Sequence, residues 1–135
     1  MRAFFDTNVL VYAFDDTQPV KQELASALMR QLWDRPEPIC ISTQVAIEFY
    51  NAVRRQKIVD RNLAAYESAL SSMHCMPTTM QTVQDAWRLF RAHKLSWFDA
   101  LIVQSALDAK CSHLFTEDMQ NGRKFGGLEV VNPFV

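Results

Sequence analysis

Residues 3–10 read AFFDTNVL, and this stretch decides the fold class because a short apolar run ends abruptly at an acid. The run at residues 3–5 has the composition of a buried strand, and a helical pattern begins at about Val9. A buried strand that leads at once into a helix is the first half of a β-α unit. Asp6 therefore lies at the point where the strand ends, next to the start of the helix.

The same alternation continues along the chain. Further short strands are predicted at residues 39–41, 74–76, 114–116 and 129–131, with longer helical patterns between them. The stretch 74–76 has poor strand propensity and is predicted from its position between helices. Strands that alternate with helices favour a parallel sheet. The 135 residues contain no linker, repeat or low-complexity segment, so we predict a single α/β domain over residues 1–135.

Local signals place the predicted helices. Pro19 fits the first turn of the second helix, where the N–H that proline lacks is not needed. Ser42 or Thr43 is predicted to cap the helix after the second strand. Ser96 is predicted to cap a later helix with Asp99 at its third position, a capping box in which Asp replaces Glu. Further helices are predicted to start at about residues 9, 60 and 79. Three aromatic residues at helical spacing are predicted to pack in the core: Trp33, Trp87 and Phe90.

Composition limits the class of protein. The net charge of −1 and the pI of about 6.3 argue weakly against a bulk nucleic-acid binder, which usually carries a basic surface. They do not exclude a nuclease, because acids gathered at a metal site lower the net charge. The longest apolar run, residues 9–14, is far shorter than the roughly 20 residues that span a bilayer. With three widely spaced cysteines and no visible signal peptide, the sequence predicts a cytoplasmic protein with reduced thiols and no membrane contacts.

Four acidic residues are predicted to share one edge of the sheet. Asp6 ends the first strand, Glu48 lies about one turn into the helix after the second, and Asp118 follows the fourth strand by two residues. Asp99 joins them if the start of its helix packs beside the first strand. The carboxyl ends of parallel strands, with the helix starts beyond them, form the ligand-binding edge of open α/β sheets.

Carboxylates gathered in one crevice repel each other, and a divalent cation removes the conflict. Ligands that are all oxygen point to Mg²⁺ or Mn²⁺ rather than zinc. Such a site suits in-line displacement at phosphorus, in which one metal ion activates water and another stabilises the leaving oxygen. Histidine is not predicted to bind metal, because His74, His93 and His113 have no ligand spacing.

Each acid also has an ordinary structural interpretation. Asp6 and Asp99 could serve only as helix-capping residues. Glu48 could lie on a solvated helix face, and Asp118 could be a turn residue. At the level of function, a binding module without activity is one alternative, and a Mg²⁺-dependent phosphatase or phospho-acceptor domain with Asp6 as nucleophile is another. A haloacid-type phosphatase would need a second Asp two residues later, where Asn8 stands.

At these residues the sequence resembles the PIN-domain nucleases, and within them the VapC toxins of bacterial toxin–antitoxin pairs. The resemblance runs over essentially the whole chain, in ordered segments. They are DTNVL at residues 6–10, the stretch 44–49 with its acid at Glu48, WFDALI at 97–102, and LFTEDMQ at 114–120, followed by NPF at 132–134.

The resemblance implies a three-layer α/β/α domain with a central parallel sheet of strand order 3-2-1-4-5. It implies a Mg²⁺- or Mn²⁺-dependent endoribonuclease that hydrolyses RNA phosphodiesters and acts as the toxin of a type II toxin–antitoxin pair. A homodimer and neutralisation by a cognate antitoxin are also implied. A housekeeping RNA-processing nuclease of the same fold is the alternative.

The resemblance also implies roles for individual residues. The four acids named above become the catalytic residues that hold the metal ion. Asn8 is implied as a neighbour that orients Asp6, and Thr116 as a hydroxyl that positions water or metal. Where some relatives carry a further acid near position 121, this chain has Asn121.

Five basic residues are predicted as contacts for RNA phosphates, although charge runs of this kind also form solvated helix faces. They are Arg54, Arg55, Lys57, Arg123 and Lys124.

Overall fold

The structure, a computed structural model, describes residues 1–56 and 63–135. Lys57 and the predicted helix start near residue 60 lie outside the described residues. The described residues form six strands and six helices, which confirms the α/β fold class. In chain order they are β1 (Ala3–Phe5), α1 (Thr7–Phe14), α2 (Pro19–Trp33), β2 (Cys40–Ser42), α3 (Thr43–Gln56), α4 (Leu63–Ser71), β3 (His74–Met76), α5 (Met80–Ala92), α6 (Trp97–Asp108), β4 (His113–Phe115), β5 (Lys124–Phe125) and β6 (Leu128–Val131).

The sheet has the strand order β3-β2-β1-β4-β6-β5. All neighbouring strands are parallel except β5 and β6, which are antiparallel. β6 is the predicted fifth strand, so the predicted order is correct for the five strands that the sequence pattern identified. The predicted sheet was nevertheless one strand short, because β5 adds an antiparallel strand at its edge. β5 has only two residues, too few to show the alternation of apolar and polar side chains that indicates a strand. The sequence signal for this hairpin was the glycine pair at its tight turn, Gly126 (φ +60°) and Gly127.

β1 is the central strand, and all three of its residues are buried. From β1 the chain moves outward through β2 and β3 and then returns to β4 on the other side of β1. Because crossovers between parallel strands are right-handed, α1 to α4 lie on one face of the sheet and α5 and α6 on the other. The direction of winding reverses between β1 and β4, where Phe5 pairs with Phe115.

Two of the predicted helix caps, Ser42 and Ser96, are confirmed by their hydrogen bonds. The Ser42 hydroxyl accepts a hydrogen bond from the Val45 N–H at 3.3 Å, at the start of α3. The Ser96 hydroxyl accepts one from the Asp99 N–H at 3.1 Å, at the start of α6. Pro19 is the first residue of α2. Each cap satisfies a donor that the first helical turn leaves unpaired.

The core lies on both faces of β1. Phe4 and Phe5 are fully buried, and the ring of Phe5 meets that of Phe115 at 5.7 Å in an edge-on contact. On the face that carries α1 to α4, the ring of Phe14 packs edge-on against Tyr66 of α4 at 4.6 Å. None of the helices in the described ranges has the length and apolar character needed to cross a membrane.

The prediction that Trp33 and Trp87 pack in the core is wrong. Their exposed fractions are 43% and 53%, whereas Phe90 is half-buried against Trp87 and Trp97. The buried residues of α5 include Ala86, directly before Trp87, so Trp87 is turned about 100° away from the core. Aromatic spacing defines a face of a helix but does not say which face meets the sheet.

Candidate active site

Asp6 directly follows β1 and is the N-cap of α1. Its Oδ1 accepts a hydrogen bond from the Thr7 N–H at 2.7 Å, and its Oδ2 accepts one from the Thr116 hydroxyl at 2.8 Å. Its own N–H donates to the Phe115 carbonyl of β4 at 3.0 Å. The strand pairing therefore continues up to the carboxylate and holds Asp6 beside the loop that follows β4.

The surroundings of Asp6 favour its protonated form. The residue is 5% exposed, and burial is the main cause that raises the pKa of Asp6 to about 6. The charges of Asp118 and Glu48 also raise this pKa, whereas the hydrogen bonds from Thr116 and Thr7 lower it. Asp6 is therefore a carboxylate whose negative charge is poorly compensated by the protein alone.

Asn8, in the first turn of α1, joins the loop after β4 to the same edge. Its Nδ2 donates to Oδ2 of Asp118 at 2.9 Å and to Oγ1 of Thr116 at 3.3 Å. The Asp118 N–H also donates to the Thr116 oxygen, at 3.1 Å. Thr116 thus accepts two hydrogen bonds and gives its hydroxyl hydrogen to Asp6. Asn8 reaches Asp6 through Thr116, and this is the route by which it could orient that carboxylate.

Glu48 reaches the same edge from α3. Its Oε1 accepts hydrogen bonds from the Thr7 hydroxyl and from Nε2 of Gln44, both at 3.2 Å. The amide oxygen of Gln44 is buried and has no hydrogen-bond partner among the described residues. That oxygen is therefore available to an additional donor or cation.

Asp99 lies in the first turn of α6 and is half-buried. Burial is the main cause that raises the pKa of Asp99; the charge of Asp118 adds to it, and a hydrogen bond with Ser96 opposes it. The start of α6 thus packs where the sequence prediction needed it, close enough to Asp118 for the two charges to interact.

All four predicted acids line one crevice of about 320 Å³ at the C-terminal edge of the sheet. The crevice lies where the winding of the sheet reverses, which is the usual ligand position in open α/β sheets. The residues that line it are Asp6, Thr7, Asn8, Val11, Tyr12, Gln44, Glu48, Ala52, Phe98, Asp99, Ile102 and Asp118.

The crevice fits a divalent cation in its chemistry but is not a closed ligand cage. In the described part of the chain, no three His, Cys, Asp or Glu side chains converge tightly enough to hold a metal ion as they stand. Hydrogen-bond donors of the protein hold the carboxylates of Asp6, Glu48 and Asp118. The donor set is nevertheless all oxygen, including the unpartnered oxygen of Gln44, as hard cations require.

The predicted RNA-contact residues that the structure describes do not line this crevice. Arg54 and Arg55 are exposed near the end of α3, where Arg54 donates to Oδ1 of Asn51 at 2.7 Å. Arg123 is turned inward: it donates to the Lys94 carbonyl at 3.0 Å, and its guanidinium lies 4.7 Å from the centre of the Phe125 ring. Lys124 is exposed on β5.

The residues in or next to the crevice that sequence reasoning missed include Tyr12, Phe98, Glu117 and Lys21. Tyr12 could have been found, because it follows Asn8 by one helical turn and so shares its face of α1. Phe98 and Glu117 each stand directly beside a predicted acid. Lys21 is in contact with Glu117 at a separation of 96 residues, and no local pattern indicates it.

The raised pKa of Asp6 predicts how stability depends on pH. Between the ordinary value of 3.8 and about 6, the folded protein binds this proton more tightly than the unfolded chain does. The stability that protonation of Asp6 contributes to the folded state is therefore fully present below pH 3.8 and is lost as the pH rises through 6. In metal-free buffer, the gain in unfolding free energy caused by Asp6→Asn should be larger at pH 7.5 than at pH 4.5, by about 2 kcal/mol. Urea unfolding of both proteins at the two pH values measures this difference, and a difference that is independent of pH would contradict the prediction.

The fold and the crevice together define a class: α/β domains with an acidic, oxygen-lined site at the point where the sheet reverses. A model of the PIN domain family matches residues 3–123. The chain belongs to the PIN domain family, as its sequence motifs indicated.

Solved structures share this fold, whereas the comparison with curated proteins gave no match. A toxin–antitoxin complex from Klebsiella pneumoniae has 23% sequence identity, a TM-score of 0.72 and 97% coverage of each chain. VapBC2 from Rickettsia felis, bound to a promoter DNA fragment, has 19% identity and a TM-score of 0.71, with coverage of 96% of this chain and 97% of that chain. VapC20 from Mycobacterium tuberculosis, a toxin that cleaves the sarcin-ricin loop, has 18% identity and a TM-score of 0.61, with coverage of 86% and 91%.

Proposed function

We propose that this protein is a metal-dependent endoribonuclease and the toxin of a type II toxin–antitoxin pair. The observation that carries the proposal is the gathering of four carboxylates in one crevice of a PIN-domain chain. Toxins are among the proteins with similar structures, and one of them cleaves an RNA loop. A haloacid-type phosphatase with Asp6 as nucleophile is disfavoured, because Asn8 stands where such an enzyme would need a second Asp.

The four carboxylates would hold Mg²⁺ or Mn²⁺. When bound, the cation would supply a water of lowered pKa and would neutralise charge on the leaving oxygen. The protein's own part is orientation: Thr116 holds Asp6, and Asn8 holds Asp118, each with a hydrogen bond of 2.9 Å or less. Without a cation the crevice would repel the phosphodiester, because its charges have the same sign as the phosphate.

The rim of the crevice favours RNA with unpaired bases. Phe98 is 64% exposed, lines the crevice and directly precedes Asp99. An exposed aromatic ring beside a phosphate site suits stacking on a base that has left its helix. The substrate proposed here is accordingly single-stranded RNA or an RNA loop.

Cleavage kinetics on hairpin and unpaired RNA test this function. We expect cleavage with Mn²⁺ and none with EDTA, and we expect Phe98→Ala to raise KM about tenfold through the loss of one stacked base. Trp33→Ala, which removes an exposed aromatic from α2 outside the crevice, should leave KM unchanged. The absence of cleavage of any RNA with Mn²⁺ would overturn the proposed function. Equal KM values for wild type and Phe98→Ala would reject the stacking contact alone.

The proposed partners follow from the same function. An antitoxin would cover the acidic crevice and place a basic side chain against it, since opposite charges across an interface favour the correct partner. The proposed working form is a homodimer in the cytoplasm. A housekeeping nuclease would have no antitoxin, and this distinguishes the two roles.

A further inference from the structure

Glu117 lies between Thr116 and Asp118, whose side chains form hydrogen bonds with Asp6 and Asn8 at the crevice. The Glu117 side chain instead contacts residues of α1 and α2. Its Oε1 accepts a hydrogen bond from the Tyr12 hydroxyl at 2.8 Å, and its Oε2 accepts one from Lys21 Nζ at 2.8 Å. Lys21 Nζ also donates to the Tyr12 oxygen at 3.4 Å. We call these three residues the Lys21 cluster. It joins α1, α2 and the loop after β4.

Two aromatic rings lie beside the partly exposed ammonium group of this cluster. Lys21 Nζ lies 4.7 Å from the centre of the Tyr12 ring and 5.6 Å from that of Phe134, and the two rings meet edge-on at 5.2 Å. Both carboxylate oxygens of Glu117 accept hydrogen bonds within the cluster, and Glu117 does not line the crevice. Glu117 is therefore paired with Lys21 and is not a fifth free carboxylate of the crevice.

The Lys21 cluster is connected to the crevice through the backbone of the loop. The Glu117 N–H donates to Oδ1 of Asn8 at 3.3 Å, while Nδ2 of the same Asn8 donates to Asp118. Successive side chains of this loop therefore face different neighbours. Thr116 bonds to Asp6 and Asp118 lines the crevice, whereas Glu117 bonds to Tyr12 in the Lys21 cluster.

Asp118 needs such support because burial does not hold it. Its side chain is exposed, whereas Asp6 is buried and tied to the sheet. Its direction therefore depends on the path of the loop, which Glu117 fixes at one side and Asn8 at the other. Outer residues that orient metal ligands commonly change metal affinity when they are replaced.

We infer that the Lys21 cluster is a positioning device that holds the loop of residues 116–118 so that Asp118 faces the crevice and contributes to cation binding. This inference rests on the proposed function. Lys21, Tyr12 and Glu117 act through Asp118 and are positioning residues, not catalytic ones.

Mn²⁺ titration of the purified protein without RNA, by calorimetry, tests the inference. Lys21→Met removes the charge and keeps the length of the stem, and it should raise the Kd for Mn²⁺ about tenfold. Lys21→Arg, which restores a cation, should recover most of the affinity. The matched control is Arg30→Met on the same helix, because Arg30 also pairs with a glutamate, Glu23, at 3.2 Å but does not contact the crevice.

A double mutant separates positioning from general stability. If Lys21 acts through Asp118, then Lys21→Met should have little further effect on Mn²⁺ affinity in an Asp118→Asn background. A merely structural role would lower the melting temperature of the metal-free protein and leave the Kd unchanged. Wild-type affinity in Lys21→Met, with weakened binding in Asp118→Asn, would overturn the inference and leave the proposed function standing. The absence of Mn²⁺ binding to the wild type would overturn both.

Discussion

Asp6→Asn is expected to lower RNA cleavage by about 10²–10³-fold while the metal-free protein stays at least as stable as wild type at neutral pH. The amide keeps the size of the side chain and can still accept the hydrogen bond from the Thr7 N–H. Its NH₂ group fits less well against Thr116, whose oxygen already accepts two hydrogen bonds. The removal of a buried negative charge that Asp118 and Glu48 repel offsets this loss.

The matched control for this variant is Asp108→Asn. Asp108 ends α6, accepts a hydrogen bond from Gln104 at 2.8 Å and does not line the crevice. Cleavage rates and urea unfolding curves are measured for both variants and the wild type. A folded Asp6→Asn protein that cleaves RNA at nearly the wild-type rate would refute the assignment of this crevice as the active site.

Millimolar Mg²⁺ or Mn²⁺ is expected to raise the melting temperature of the wild type by on the order of 5–10 °C, if the concentration reaches about 100 times Kd. A cation that binds only the folded state stabilises it, and here it also compensates the negative charge of Asp6, whose pKa is raised mainly by burial and further by the charges of Asp118 and Glu48. The increase should be largest above pH 6, where Asp6 is ionised without metal.

Thermal melts with added cation and with EDTA measure this effect. Asp6→Asn and Asp99→Asn should lose most of the increase, because each removes one charge from the crevice. Asp108→Asn should keep it. An unchanged melting temperature of the wild type at millimolar cation would count against metal binding, and an equal increase in all variants would indicate that the cation binds elsewhere.

The features that the sequence predicted correctly are those whose signals are local. Asp6 follows a fully apolar strand, and Ser96 caps the turn that contains Asp99, so a few adjacent residues were sufficient in each case. The parallel order of the strands then brought these separate signals to one edge. The roles of the four acids in chemistry stay a prediction, while their common location is a property of the structure.

The features that the sequence did not predict depend on long-range packing or on very short elements. The contact between Lys21 and Glu117 joins residues 96 positions apart, and neither residue is remarkable in its own segment. The exposed position of Trp87 depends on which face of α5 meets the rest of the domain. β5 is a strand only because β6 lies beside it.

The pairing of β1 with β4 also determines when the acidic crevice can form during synthesis. The segments that meet there, residues 6–8 and 116–118, are 110 positions apart in the chain. A nascent chain that ends at β3 contains Asp6 and Glu48 but lacks Asp99 and Asp118. Since an incomplete crevice cannot gather all four charges, translation delays the assembly of the site until almost the whole domain has been made. Truncated products of a cell's own ribosomes would accordingly lack the complete site.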